Sequence, residues 1–273
     1  MTLEPLINPK NDKTLDLFVA NPPHGLIISG PMGSGKTAMA NILVRRINPL
    51  LKPVFVKPEE NKMIGIDQVR ELNSLMSRKS SGDLVTSVAI IAPADLMTEE
   101  AQNALLKTLE EPAAGSMIIL LARQVNTLLP TVMSRCKILK ILPVSEVDAS
   151  AHYEGYDPSE IKRAYILSRG YPEALTSILK NENENLTNGL NEAKNFLSAS
   201  KFDRLCFAED NKDRAGELVT NLIIVTQAAI EQSPPANRLH KLIGIHKQAR
   251  LAERQLAAKV NKKTVLSALA LSL

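Results

Sequence analysis

The sequence of 273 residues predicts an α/β domain with a mainly parallel sheet, followed by a region built only of helices. In the first half, short continuous apolar runs alternate with segments whose apolar residues recur at helical spacing. Uninterrupted apolar runs are typical of strands buried on both faces, as in parallel sheets covered by helices. After Pro143 no strand pattern occurs, and the remaining segments have helical spacing. The change of pattern at this proline therefore predicts a change of architecture.

The predicted elements of the first half follow from these patterns. Strands are expected at 25–29, 53–58, 87–92, 116–122 and 136–142. Helices are expected at 36–47, 65–80 and 98–111. The last helix has the clearest ends, because Thr98 is a suitable N-cap, two acids follow it in the first turn, and Pro112 stops the helix.

The second half is predicted to contain six helices. They are expected at about 158–169, 172–180, 187–199, 212–232, 235–258 and 262–272. The polar, turn-rich stretch 181–189 is interpreted as a linker, and the proline-containing stretch 231–238 as a break between two helices.

Composition excludes several classes of protein. Two distant cysteines, Cys136 and Cys206, and four scattered histidines give neither a zinc site nor a disulfide framework. Aromatic residues make up 3% of the chain, which argues against a surface that stacks single-stranded bases. The N-terminus lacks the apolar core of a signal peptide, and the longest apolar runs are too short to span a bilayer. We therefore expect a reduced, cytoplasmic, soluble protein without a membrane partner.

The stretch "GPMGSGKT", Gly30 to Thr37, matches the phosphate-binding P-loop and lies between a predicted strand and a predicted helix. The residues predicted to bind nucleotide are Gly30, Met32, Gly33, Ser34, Gly35, Lys36 and Thr37. Lys36 would contact the β- and γ-phosphates, and the Thr37 hydroxyl would bind Mg²⁺ once a nucleotide is present. ATP or ADP with Mg²⁺ is the expected cofactor. The alternatives are a chance glycine-rich turn and a loop of this shape that stays empty.

The carboxylates that P-loop enzymes use for hydrolysis are missing from the strand where they are expected. Such a strand normally ends in an Asp that holds Mg²⁺, often followed by a Glu. Here the strand ends in Ala92 and Pro93. Asp95 is expected to cap the turn into the next helix. Because losing one such group slows a reaction by ~10²–10³, nucleotide binding can survive while turnover is lost. Replacement of the missing acids by Asp95 or Glu111 is the alternative.

Four further segments carry a resemblance to a known family. "PHGLIISGPMGSGKTAMANIL", "IGIDQVREL", "ADLMTEEAQNALLKTLEEP" and "LLPTVMSRC" occur in this order and at the family's spacing. The sequence resembles bacterial clamp-loader subunits of the AAA+ class. The resemblance is strong over 22–143, weaker over 144–180, and recognisable again over 245–273.

The resemblance implies an organisation and a set of partners. It implies an AAA+ P-loop nucleotide-binding domain at 1–143, a helical lid at 144–182 and a helical collar for oligomerisation at 183–273. Such subunits form a hetero-pentameric ring that opens the sliding clamp and places it on primed DNA, which they contact through its backbone. The expected partners are therefore other clamp-loader subunits, the clamp and DNA.

The resemblance also assigns a catalytic role to Arg135 in "SRC", that of an arginine finger acting in trans on a neighbouring ATPase subunit. Such a finger stabilises charge on the transferred phosphoryl group. Read without the family, Arg135 is a solvated or ion-paired arginine. The sequence departs from the family at the missing acids, at Ala122 and Arg123 in place of a polar sensor, and at Glu173 in place of a lid arginine. These departures favour a non-hydrolysing subunit.

Two alternative functions remain open from the sequence. One is an ATP-hydrolysing motor of the same family, of the gamma/tau type. The other is a stand-alone P-loop kinase or NTPase.

The role of the basic segment 238–263 is also open. It contains eight Lys or Arg and one acid. Their positive charge predicts contact with DNA phosphates or an acidic partner, or else a solvated helix face.

Overall fold

The computed structural model describes residues 5–59, 63–76, 85–180, 184–231, 234–258 and 260–273. The chain divides into two compact units. The first consists of Met1–Ser145 together with Tyr171–Glu173, and the second of Glu146–Gly170 with Ala174–Leu273. The predicted subdivision into lid and collar at residue 182 stays a prediction.

The first unit contains a five-stranded sheet in the order β2-β3-β4-β1-β5. The strands are β1 Gly25–Ser29, β2 Val54–Val56, β3 Ser87–Ile91, β4 Ser116–Ala122 and β5 Lys137–Lys140. Every neighbouring pair is parallel. All residues of β1 and β4 are buried, as expected for central strands covered on both faces. The predicted parallel α/β architecture is confirmed.

Helices cover this sheet. They are α1 Pro9–Ala20, α2 Lys36–Ile47, α3 Ile66–Met76, α4 Glu99–Glu110 and α5 Pro130–Met133. Because successive strand residues point to opposite faces, Ile27 of β1 joins one apolar core with α3 and α4. Its neighbours Leu26 and Ile28 join the other core with α1 and α2. Two cores on one sheet explain why the strand sequences are apolar throughout.

The ends of α4 agree with their prediction. The Thr98 hydroxyl accepts a hydrogen bond from the Ala101 N–H at 3.1 Å, and two acids lie in the first turn. The helix ends at Glu110, two residues before Pro112. The prediction for 65–80 is confirmed over α3, and residues 77–80 lie outside the described part of the chain.

The described residues of the second unit form helices and turns. The helices are α6 Glu146–His152, α7 Pro158–Ser168, α8 Pro172–Lys180, α9 Glu184–Ser198, α10 Lys201–Asp210, α11 Ala215–Glu231, α12 Ala236–Ala257 and α13 Lys262–Ser272, with the first two residues of α8 counted in the first unit. Leu222 of α11, Ala249 of α12 and Leu266 of α13 lie in their common core. The predicted helical second half is confirmed. In the described parts of the chain, no helix has the length and apolar character needed to cross a membrane.

Two features of the sequence prediction are corrected. The predicted linker is wrong over 184–189, because α9 begins at Glu184; residues 181–183 lie outside the described part. Helices α1, α5, α6 and α10 were not predicted. In α1 and α10 a polar residue occupies an inward position: Asn11 is 3% and Arg204 7% exposed. A polar residue on the buried face weakens the apolar periodicity by which a helix is detected.

Candidate functional site

The predicted P-loop joins the carboxyl end of β1 to the start of α2. Gly33 and Gly35 have φ angles of 72° and 93°, in the left-handed region that favours glycine. A Cβ at Gly30 would lie 2.6 Å from the Ser34 hydroxyl, so this glycine lets the loop close on itself. The buried β1 anchors one end of the loop, and Gly35 forms the N-cap of α2 at the other. The glycines therefore have the structural roles that a phosphate-binding loop requires.

The Lys36 side chain folds back over this loop. Its Nζ donates to the backbone carbonyls of Gly30 and Pro31, each at 2.7 Å. Burial lowers the pKa of Lys36, while the negative charge of Glu173 acts in the opposite direction. The cation predicted to contact nucleotide phosphates is therefore at the loop and is held there by the loop's own oxygens.

Glu173 also lies at this loop, within the first unit. Its Oε2 accepts a hydrogen bond from the Gly35 N–H at 3.0 Å. From the sequence, Glu173 was predicted only to be an acid in place of a lid arginine. No local pattern indicates that its carboxylate contacts a glycine 138 positions earlier in the chain.

The end of β3 carries no carboxylate. Ala92 and Pro93 follow the strand, joined by a cis peptide bond. The Asp95 carboxylate accepts hydrogen bonds from the Arg123 N–H, at 2.8 and 3.0 Å, and from the Thr127 hydroxyl at 2.7 Å. The prediction that Asp95 caps the turn into the next helix is therefore wrong, since it joins the segments that follow β3 and β4. The cap of α4 is Thr98.

The donor groups fit a nucleotide phosphate better than they fit a protein-held metal ion. Backbone N–H groups in a glycine-rich turn, a lysine and a helix N-terminus together suit a phosphate. Among the described residues, no group of three or more His, Cys, Asp or Glu could hold a metal ion. Mg²⁺ at this loop would therefore have the Thr37 hydroxyl and the nucleotide's own oxygens as its ligands.

Arg135 lies at the opposite edge of the sheet. It follows α5 and directly precedes Cys136 and β5. Its carbonyl oxygen is 3.2 Å from the position of a Cβ built at Gly25, the first residue of β1. The P-loop begins after Ser29, the last residue of β1. The five residues of β1 therefore separate Arg135 from the loop, a distance of about 16 Å at the usual rise per residue.

The Arg135 guanidinium is held at the surface by an ion pair. Its Nη2 is 2.6 Å from Oε1 of Glu110, the last residue of α4, and the Arg135 side chain is 35% exposed. Its Nη1 donates to the Thr131 carbonyl at 2.9 Å and to the Ser134 hydroxyl at 3.2 Å. The ends of α4 and α5 thus orient the guanidinium together. The role of Glu110 was not predicted from the sequence.

Cys136, the next residue, is partly buried and has a role in packing rather than in chemistry. Burial raises the pKa of its thiol to about 11, so the group is protonated at neutral pH and is a poor nucleophile or metal ligand. A Cβ at Gly25 would lie 2.8 Å from the Cys136 sulfur and 2.9 Å from Leu109. Gly25 and Cys136 therefore allow α4, β1 and β5 to pack closely at this edge.

The basic segment of the second unit is partly neutralised within that unit. Arg250 forms an ion pair with Glu253 at 2.8 Å, and Lys263 forms one with Glu209. Contact of this segment with DNA or with another subunit stays a prediction.

Comparison with known proteins first indicates a class. Residues 49–145 match the family described as "DNA polymerase III, delta subunit". The matched part begins after the P-loop and includes Ala92, Pro93 and Arg135. This part of the chain contains three of the four quoted motifs in full.

Individual proteins that are similar to this chain have more specific descriptions. DNA polymerase III subunit delta′ of Haemophilus influenzae is 37% identical over 93 residues, covering 34% of this chain and 28% of the relative. Replication factor C small subunit 1 of Pyrobaculum islandicum is 30% identical over 170 residues, covering 59% and 51%. A solved DNA polymerase III gamma subunit-related protein from Thermotoga maritima has a TM-score of 0.48 and 16% identity, covering 95% and 97%.

The matches thus span about a quarter of one curated relative and half of the other. The resemblance to clamp-loader subunits that the sequence motifs indicated is confirmed, and delta′ is among the named relatives.

Proposed function

We propose that this chain is a non-hydrolysing clamp-loader subunit of the delta′ type. In this proposal it assembles with other clamp-loader subunits in a hetero-pentameric ring and supplies Arg135 to the nucleotide of a neighbouring ATPase subunit. The ring loads a sliding clamp onto primed DNA. The chain's own P-loop holds ATP or ADP without turning it over.

The separation of Arg135 from the P-loop carries this proposal. The two lie at opposite edges of one sheet, about 16 Å apart along β1. An arginine finger must reach the γ-phosphate that it stabilises. Arg135 therefore cannot serve the chain's own loop, whereas its partial exposure leaves it accessible to a second subunit.

The contacts of Arg135 also suit a role at an interface. The planar guanidinium can bind phosphate oxygens in a bidentate manner, which a lysine cannot do. Glu110 orients it in advance through a partly exposed ion pair. Because pairs of this kind contribute about 0–1 kcal/mol, exchanging Glu110 for a phosphate would cost little.

The lack of turnover is proposed from the end of β3. No carboxylate follows the strand at Ala92 and Pro93, and Asp95 already accepts bonds from Arg123 and Thr127. A bound ATP would bring its phosphates and Mg²⁺ to the loop. The chain's Lys36 and Gly35 would bind phosphate oxygens there, but the residues that directly follow β3 include no acid to orient an attacking water.

Reconstitution tests the proposal. The full chain is assembled with the motor subunits of its own organism, and ATPase activity is measured with clamp and primed DNA. Arg135→Ala should assemble normally but lower turnover at the adjacent motor site by ~10³ or more. Arg45→Ala, which removes an exposed arginine of α2, is the matched control. Normal turnover by a fully assembled Arg135→Ala ring contradicts the trans role.

The isolated chain provides a second arm of this test. It should not hydrolyse ATP measurably. Turnover that disappears in Lys36→Ala would instead support the alternative of a gamma/tau-like motor.

A further inference from the structure

We propose that the Glu173 carboxylate is an internal competitor for the P-loop: it occupies the Gly35 N–H, and nucleotide phosphate binds only when it leaves. This inference rests on the proposed binding of nucleotide by the same loop. It assigns to the loop a self-closed state and names the residue that closes it.

The Gly35 N–H is the donor for which the carboxylate and a phosphate would compete. Gly35 is the N-cap of α2 in a left-handed conformation, and its own residue offers no side-chain cap. In a P-loop, N–H groups at this point donate to phosphate oxygens. Here the donor is already bonded to Glu173 Oε2 at 3.0 Å. One N–H cannot make a full hydrogen bond to two anions, so the carboxylate and a phosphate exclude each other at this donor.

Other polar groups around the loop also have partners within the chain. Lys36 donates to the carbonyls of Gly30 and Pro31 at 2.7 Å. Asp95 is bonded to Arg123 and Thr127. These groups and the Gly35 N–H thus have partners within the chain before any nucleotide binds. A nucleotide must exchange the loop's internal bonds for its own, and the acceptor that it must displace from the Gly35 N–H is a carboxylate, which has the same sign of charge as a phosphate.

Charge adds to this competition. The Glu173 carboxylate at the Gly35 N–H has the same sign of charge as the phosphates of a nucleotide and repels them. Because Glu173 is exposed, the competition is moderate. Removing the carboxylate should therefore tighten nucleotide binding by about 5- to 10-fold.

Binding measurements on the full chain test this inference. Affinities for fluorescent ADP and ATP with Mg²⁺ are compared for the wild-type chain, Glu173→Gln and Glu173→Ala. Both variants should bind more tightly than wild type, and adding Lys36→Ala to either should abolish the binding. Glu71→Gln, which removes the same charge from an exposed position of α3, should bind like wild type.

A second readout needs no nucleotide. With ¹⁵N-labelled glycine, the Gly35 amide proton of the nucleotide-free chain should move upfield in Glu173→Gln, because its charged acceptor is lost. It should stay in place in Glu71→Gln. A Gly35 resonance unaffected by Glu173→Gln overturns the inference.

Equal nucleotide affinity in all chains also overturns the inference, as does the absence of binding in wild type and both Glu173 variants. Neither result affects the trans role of Arg135, which is measured on the neighbour's nucleotide. Conversely, a failed Arg135 test leaves the Glu173 affinities meaningful, so the two failures are distinguishable.

Discussion

The two edges of the same sheet differ in how their charged groups are held. At the carboxyl edge, the Gly35 N–H, Lys36 and Asp95 all have partners within the chain. At the amino edge, Arg135 is partly exposed. It is held by one ion pair and by two hydrogen bonds that its Nη1 donates to oxygens at the end of α5. The first edge is closed on itself, whereas the second presents a charge outward. This asymmetry supports the proposed function, in which the loop binds phosphate while Arg135 acts on another subunit.

The largest expected effect is on the ATPase activity of the adjacent motor site in the assembled ring, where substitutions of Lys36 and Arg135 should have different results. Lys36→Ala should leave the ATPase activity of the adjacent motor site unchanged, while Arg135→Ala should lower it by ~10³ or more. In the proposed function, Arg135 acts on the neighbour's phosphate and Lys36 does not. Single-turnover hydrolysis by assembled rings measures both. Equal losses in the two variants would remove the functional contrast between the edges.

The next largest effect concerns Cys136. Burial raises the pKa of this thiol to about 11, from an ordinary 9.0, so its thiolate fraction at pH 8 falls by about 100-fold. Iodoacetamide should therefore modify the exposed Cys206 and spare Cys136, as measured by peptide mass spectrometry over time. The Cys206→Ser chain should stay essentially unmodified until it is unfolded. Rapid labelling of Cys136 in the folded chain would show that this edge is open.

A stability effect of intermediate size is expected at Gly25. A Cβ there would lie 2.8 Å from the Cys136 sulfur and 2.9 Å from Leu109, so Gly25→Ala should lower the free energy of unfolding by about 1–3 kcal/mol. Denaturant titration measures this change. Gly65→Ala is the matched control, since a Cβ there meets nothing within 4 Å. Adding Cys136→Ala to Gly25→Ala should restore part of the loss; no restoration would place the strain elsewhere.

The smallest expected effect concerns Glu110. Because its ion pair with Arg135 is partly exposed, Glu110→Gln should change the free energy of unfolding by less than about 1 kcal/mol. Loss of orientation should lower the neighbour's turnover by several-fold, well short of the loss in Arg135→Ala. Denaturation and ring ATPase assays measure the two effects. A loss as large as that of Arg135→Ala would make Glu110 an essential part of the site.

Much of the fold was predictable because its signals are local. The apolar runs identified all five strands, and Thr98 and Pro112 marked the ends of α4. Helices α1 and α10 escaped because Asn11 and Arg204 occupy buried positions. Arg204 is satisfied there by the Phe196 and Leu197 carbonyls at 2.9 Å. A search for apolar residues at helical spacing does not detect a buried polar residue, because the partners that make its burial possible come from other parts of the fold.

The candidate site likewise has some features that short stretches of sequence predict and others that only the fold determines. By itself the sequence determined the glycine pattern of the loop, the absence of acids at Ala92 and Pro93, and the motif that singles out Arg135. Each of these depends on residue type and spacing along a short stretch. The backbone conformation of such a stretch depends mainly on its own residues.

Only the tertiary structure decided what these residues face. It brought Glu173 to Gly35, Asp95 to Arg123, and Glu110 to Arg135. It also placed the P-loop and Arg135 at opposite ends of β1. The physical reason is that hydrogen bonds and ion pairs join atoms that are close in space, and strand order and helix packing bring together residues far apart in the chain.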